Sequence, residues 1–159
     1  MINGFTGATL LAADHPTDPR AAIRDGAKLV HVQRMQMRWG DMDALGHMNN
    51  TVYFRFLEQA RISWFDVIGA DYRKLPEGPV LGSISCRFIL PVVYPADLEV
   101  TLLAGASRRS SFPLYSEIRD AGPPGRVYAR AEAVMVWIDL KDGKSRPLPE
   151  WVRAVIRDQ

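Results

Sequence analysis

Between Arg38 and Arg61 the chain concentrates the side chains best suited to chemistry: Asp41, Asp43, His47, Asn49, Asn50 and Glu58. Asp43 offers a carboxylate that can attack an electrophilic carbon as a nucleophile or take a proton from water as a general base. His47, four residues on, can hydrogen-bond a carboxylate, orient a water or protonate a leaving group. Each also has a plainer reading, because aspartate is common in turns and a histidine can simply fix a loop. Asp41 reads as structural. Asn49 or Asn50 suits a helix N-cap, since a short side-chain oxygen can accept from the unpaired N–H groups of a first turn. Free N–H groups near Asn50 would in turn stabilise negative charge developing on an oxygen beside Asp43. Glu58 is a second candidate acid, although Arg55 and Arg61 stand at helical spacing from it and offer ion pairs instead.

These residues must be held by something, and the flanking patterns say what. From Val30 to Trp39 the chain is rich in β-branched residues, Met and Trp with polar residues between, which predicts a first strand ending at Gly40-Asp41. Tyr53, Phe56, Leu57, Ala60, Trp64, Val67 and Ile68 recur at i, i+3, i+4 and i+7, predicting a long helix with one apolar face and a stop at Gly69. The turn-forming stretch Asp41 to Asn50 would therefore deliver Asp43 to a helix N-terminus. After a connection from Leu75 to Pro79, strands are expected over Val80 to Leu90, Leu98 to Ala106, Ser111 to Arg119 and Val127 to Asp139. Pro95-Ala96-Asp97, Asp120 to Gly125 and Asp142-Gly143 punctuate them, and the spacing suits an antiparallel meander rather than βαβ units. Residues 149–159 read as a short docking helix, and residues 1–28, lacking periodicity, as a flexible arm before a single domain over 29–159.

Composition narrows the function classes. A length of 159 residues suits one domain. Twenty Lys and Arg against 18 acids give a formal charge of +2, which leaves no concentrated basic surface for a nucleic acid. The single cysteine, Cys86, rules out an intrachain disulfide and paired-cysteine zinc frameworks, so a reducing cytoplasm fits best. Apolar runs are too short for a membrane span. The stretch Ala8 to Ala13 is preceded by no Lys or Arg, so a secretory signal is not expected.

A strand, an Asp-bearing loop, a long helix and four further strands resemble the α+β hotdog fold, in which a curved antiparallel sheet wraps one central helix. The run Trp39-Gly40-Asp41-Met42-Asp43, then Gly46-His47-Met48-Asn49-Asn50, Tyr53 and Glu58-Gln59-Ala60-Arg61 is similar to the signature of the 4-hydroxybenzoyl-CoA thioesterase family. Asp43, His47, Asn49 and Asn50 also resemble a stretch of plant acyl-carrier-protein thioesterases, with Leu45 standing where those enzymes have an asparagine. The resemblance implies an acyl-CoA thioesterase that hydrolyses an acyl thioester to free acid and thiol. Asp43 would be nucleophile or general base, the backbone N–H at Asn50 the oxyanion hole, and His47 a participant. It further implies Gly46, Ser110 and Ser111 as substrate-binding positions along the pantetheine arm. An acyl-CoA or acyl-carrier-protein substrate, no cofactor, and a homodimer or homotetramer joined at sheet edges complete the expectation.

Two other readings share the fold: a hydratase or dehydratase that leaves the thioester intact, and a non-catalytic acyl-thioester binding protein. Tyr53, Phe56 and Trp64 have the character to line an acyl tunnel, but a buried helix needs such a stripe for packing alone. Arg87, Arg108, Arg109 and Arg126 have the chemistry to meet phosphates, yet scattered arginines usually belong to solvated surface. Cys86, within an expected strand, reads as a small buried apolar residue.

Overall fold

The computed structural model describes residues 26–70, 74–122 and 125–157. The expected arm, 1–28, falls outside the described residues except at its end, where Lys28 already belongs to the first strand. Among the described residues, five strands and two α-helices follow in the order β1 (Lys28–Gln36), α1 (Asn50–Val67), β2 (Glu77–Phe88), β3 (Asp97–Ala104), β4 (Ser111–Asp120), β5 (Val127–Asp139) and α2 (Glu150–Ile156). The strands make one antiparallel sheet in the order β1-β3-β4-β5-β2. β3, β4 and β5 form the meander the turn spacing suggested. β1 and β2, separated in sequence by α1, take the two outer edges.

Strand periodicity explains which face holds the helix. Leu98, Val100, Leu102 and Ala104 on β3, and Phe112, Leu114 and Ile118 on β4, alternate inward and are almost completely buried. Against them α1 presents Tyr53, Phe56, Leu57, Ala60 and Trp64, the stripe read from the sequence, and Trp64 meets Phe112 edge-on at 6.0 Å. Burying each large apolar side chain contributes roughly 1.5–3 kcal/mol relative to exposure, so this stripe fixes the helix rotation. Phe65 is buried as well, whereas Val67 is 73% exposed although the spacing put it on the apolar face. Gly69, with φ +77, ends the helix as expected.

Most strand boundaries differ from expectation by one to three residues, and at two of them the cause is plain. β1 stops at Gln36 rather than Trp39, because the Asp41 carboxylate accepts from Arg38 N–H at 2.7 Å and closes a 3₁₀ turn over Trp39–Asp41. β2 begins at Glu77 and runs through Pro79, which the sequence reading left in a connection. An edge strand tolerates proline because it has a free side that needs no N–H donor. α2 lies within the expected terminal segment, with Val152 and Ile156 buried. Among the described residues no helix is long and apolar enough to cross a membrane.

Candidate active site

The register gives the sheet two distinct ends. Gln36 of β1 faces Asp97 of β3, Leu98 faces Asp120 of β4, and Arg119 faces Val127 of β5, whose Ala129 faces Phe88 of β2. The end of β1 and the start of α1 therefore sit at the same end as the exit of β2. Residues 37–49 close a small hairpin there. Asn49 N–H donates to the Asp41 carbonyl at 2.9 Å, Asp43 N–H to the His47 carbonyl at 3.0 Å, and Gly46 N–H to the Asp43 carbonyl at 3.0 Å. Gly46 adopts φ +80, the left-handed backbone that closes this turn and favours glycine. Met48, 1% exposed, pins the hairpin to the core.

Within that hairpin the Asp43 carboxylate is half-buried, and its Oδ1 accepts from Leu45 N–H at 2.8 Å. Among the described residues no side chain pairs with Oδ2. His47 is half-buried in the same hairpin; its carbonyl accepts from Asp43 N–H, and among the described residues no hydrogen bond joins its imidazole to the Asp43 carboxylate. Asn49, not Asn50, is the N-cap: its Oδ1 accepts from Thr51 N–H at 2.9 Å and from the Thr51 hydroxyl at 2.7 Å. Val52 N–H returns to the Asn49 carbonyl at 2.9 Å. The cap thus leaves Asn50 N–H without an acceptor among the described residues, a free donor at the positive end of an 18-residue helix. A carboxylate and a free helix N–H, seven residues apart in the chain and joined through one hairpin, have the chemistry to attack a carbonyl and to hold the resulting oxyanion.

The other residues singled out by sequence are placed differently. Glu58 faces solvent with its side chain 54% exposed and pairs with Arg55 at 3.4 Å, the ion-pair role weighed for it. Ser110 and Ser111 lie at the start of β4, opposite β5 near Val136, and so at the far end of the sheet from Asp43 in the same chain. Their backbone is tied down locally: the Ser110 carbonyl accepts from Trp137 N–H at 2.8 Å and the Ser111 carbonyl from Arg108 N–H at 2.7 Å. Arg153 of α2 buttresses that turn through Ser107 Oγ and the Arg108 and Arg109 carbonyls. Tyr53, Phe56 and Trp64 are packed in the core. Among the described residues no cluster of His, Cys, Asp and Glu is arranged to hold a metal ion.

Sequence reasoning weighed Tyr53, Cys86 and Arg126 one by one and passed over the Tyr128–Asp120 pair that lies with them. Tyr53 on the first turn of α1 is 3% exposed, and its hydroxyl points to the Leu90 carbonyl at 3.5 Å. Burial raises its pKa, opposed by a hydrogen bond with the Val92 backbone and reinforced by the nearby Cys86 and Asp43. Burial likewise pushes the Cys86 thiol up to about 11. Beside them Tyr128 donates to Asp120 at 2.6 Å, and burial followed by that bond pushes its phenol to about 12. Arg126 completes the group, bonding Asp120 at 2.9 Å, lowering that carboxyl's pKa, and lying 5.5 Å from the Tyr128 ring. Only the aromatic type of Tyr53 and Tyr128 hinted at this in the sequence.

Comparison with known proteins bears on fold and family. The family model described as "Thioesterase-like superfamily" matches residues 37–156. Among solved structures, the PA2801 protein of Pseudomonas aeruginosa, a proposed thioesterase, is 38% identical. It superposes with a TM-score of 0.76 over 80% of this chain and 98% of its own. Slr0204 of Synechocystis, a 1,4-dihydroxy-2-naphthoyl-CoA thioesterase, is 22% identical with a TM-score of 0.71, over 79% of this chain and 94% of that one, a likeness of fold. The uncharacterised protein YsmA of Bacillus subtilis (strain 168) is 25% identical over 112 residues, 70% of this chain and 75% of its own.

Proposed function

The chain belongs to the thioesterase-like superfamily and has its hotdog fold, and from that premise we propose that it hydrolyses an acyl-CoA thioester to a free acid and a thiol. The observation that carries the reading is the Asp43 carboxylate, with one oxygen tied to Leu45 N–H and the other open, beside a helix whose Asn50 N–H is unpaired. The open oxygen takes a proton from a water that attacks the thioester carbonyl carbon, or attacks that carbon itself to give a mixed anhydride that water then cleaves to the free acid and the regenerated carboxylate. As the carbonyl carbon becomes tetrahedral, its oxygen gains negative charge. Asn50 N–H and the α1 dipole stabilise that charge where it develops. Collapse expels the thiolate, and His47, in the same hairpin, is the proton donor for it. Acyl-CoA is the substrate class because the Synechocystis relative of the same fold acts on an aryl-CoA.

Two copies complete the site. β1 meets solvent with Lys28 and Arg34 on its edge, whereas β2 has no charged residue from Gly78 to Cys86. Charges blunt an edge strand, and an uncharged one invites pairing. Antiparallel pairing of two β2 strands sets the Ser110-Ser111 end of one sheet beside the Asp43 end of the other. That arrangement lets Ser110, Ser111 and Gly46 flank the pantetheine arm of one substrate. In a single chain they lie too far apart to do so.

The test is Asp43→Asn. It should leave the fold intact, as judged by thermal unfolding, and cut hydrolysis across an acyl-CoA panel by roughly 10² to 10⁴, the scale of losing a general base or nucleophile. Hydrolysis is followed by release of free thiol with a chromogenic thiol reagent. Near-wild-type turnover in the variant would sink the assignment. Consumption of an enoyl-CoA without thiol release would mark a hydratase, and tight acyl-CoA binding without turnover a binding protein.

A further inference from the structure

The segment joining β2 to β3 passes between the two halves of the site. At one end, Ile89 and Leu90 donate their N–H groups to the Tyr128 carbonyl of β5 at 2.8 and 3.1 Å. At the other, the Val92 carbonyl accepts from Met48 N–H at 2.8 Å and the Ala96 carbonyl from Met37 N–H at 2.9 Å. The segment is thus anchored on the sheet and carries the Asp43 hairpin.

Between those anchorages sits the Tyr53 hydroxyl. It donates to the Leu90 carbonyl at 3.5 Å, long for an O–H···O bond, and the Val92 backbone lies close enough to lower its pKa. Its ring stands edge-on to Phe88 with centroids 4.9 Å apart. Tyr53 belongs to the same first turn of α1 that presents Asn50 N–H. One side chain therefore links the helix end bearing the oxyanion donor to the segment from which the carboxylate hairpin is hung.

Resting on the function proposed above, we propose that Tyr53 is a positioning residue: its hydroxyl holds residues 90–92 against α1 and so sets the Asp43 carboxylate relative to Asn50 N–H. It acts through Val92 and Met48 and contacts no reacting atom. The physical reason is that carboxylate and oxyanion donor belong to different elements, so their separation is fixed by tertiary contacts, and reaction rates are steep in that separation. Burial, with Cys86 and Asp43 nearby, raises the Tyr53 pKa, so the hydroxyl keeps its proton at neutral pH.

Tyr53→Phe removes one oxygen and keeps the ring packing. Assayed on acyl-CoA well below its unfolding temperature, it should lower kcat about tenfold or more with KM within about twofold, because alignment is lost while binding contacts remain. A folded variant with wild-type kcat overturns the positioning role. So does a raised KM at unchanged kcat, which would put the hydroxyl in contact with substrate. Should Tyr53→Phe fail to fold, Phe88→Leu loosens the ring against which Tyr53 leans and leaves its hydroxyl in place. The same split is then expected, and wild-type kcat overturns the role. Asp43→Asn run alongside keeps the two readings apart. Surviving turnover there removes the proposed function, whereas its loss, together with wild-type kcat in Tyr53→Phe, removes only the positioning role.

Discussion

Asp43 and Cys86 lie within electrostatic reach of the same tyrosine yet have opposite surroundings. Asp43 is half-buried in a hairpin rich in backbone N–H groups, and a carboxylate there stays solvated on one side while held on the other. Cys86 faces inward on β2 among apolar neighbours, and burial raises its thiol to about 11. Thiolate, not thiol, is the nucleophile, so raising the pKa removes reactivity at neutral pH. The native protein should therefore be alkylated slowly by iodoacetamide up to about pH 9, where an unperturbed thiol near 8.5 already reacts fast. Denaturant should abolish the difference. Mass spectrometry of Cys86 over a pH series checks this, and rapid native alkylation at pH 8 would contradict the burial argument. The same experiment bears on mechanism, since an inert thiol leaves the carboxylate as the nucleophilic group there.

At the scale of elements, the site depends on how α1 begins. Asn49 Oδ1 takes Thr51 N–H and the Thr51 hydroxyl, and Asn49 N–H in turn reaches the Asp41 carbonyl. One residue therefore caps the helix and closes the Asp43 hairpin. Asn49→Ala should cost about 1 kcal/mol of stability, the usual price of a lost cap, read as a lower denaturant midpoint at unchanged m-value. It should also reduce kcat, because the first turn that offers Asn50 N–H frays. A stability loss with full activity would show that the oxyanion donor lies elsewhere. The 3₁₀ turn at Trp39–Asp41 matters in a similar way, since it lifts the chain off β1 before Asp43 and so aims the hairpin at α1 rather than along the sheet.

At the scale of the whole molecule, the sheet order leaves two unequal edges. β2 is long and uncharged over its middle, with Leu81, Gly82, Ser83 and Ser85 exposed, while β1 carries Lys28 and Arg34. Pairing through β2, as proposed, would let residues at opposite ends of one sheet serve one substrate. Ser83→Lys places a cation in that edge and, through the two-fold axis, near its own copy. Analytical ultracentrifugation should show a shift from dimer towards monomer, with hydrolysis falling in step. A fully dimeric, fully active Ser83→Lys protein would exclude the β2 edge as the join. Distance from the site matters here, because Ser83 lies several residues from Cys86 and outside the Asp43 hairpin.

Much of this was legible in the sequence, because it is written in local periodicity. The stripe Tyr53, Phe56, Leu57, Ala60 and Trp64 defines α1, and its spacing alone tells which face is buried. Alternation on β3 and β4 gives strands, and the dense run of turn formers before an asparagine cap places Asp43 at a helix head. What sequence could not decide is set by contacts between distant segments. Met48 and Val92, or Leu90 and Tyr128, are joined by backbone hydrogen bonds that any residue type can make, so no side-chain pattern announces them. For the same reason Pro79 looked like a connection until the sheet order put β2 on an edge. Nor does sequence say which end of the sheet carries Ser110 and Ser111; register places them at the opposite end from Asp43 in the same chain. Sequence by itself determined the elements and the carboxylate at the head of α1, whereas the tertiary structure decided which backbone holds that carboxylate in place.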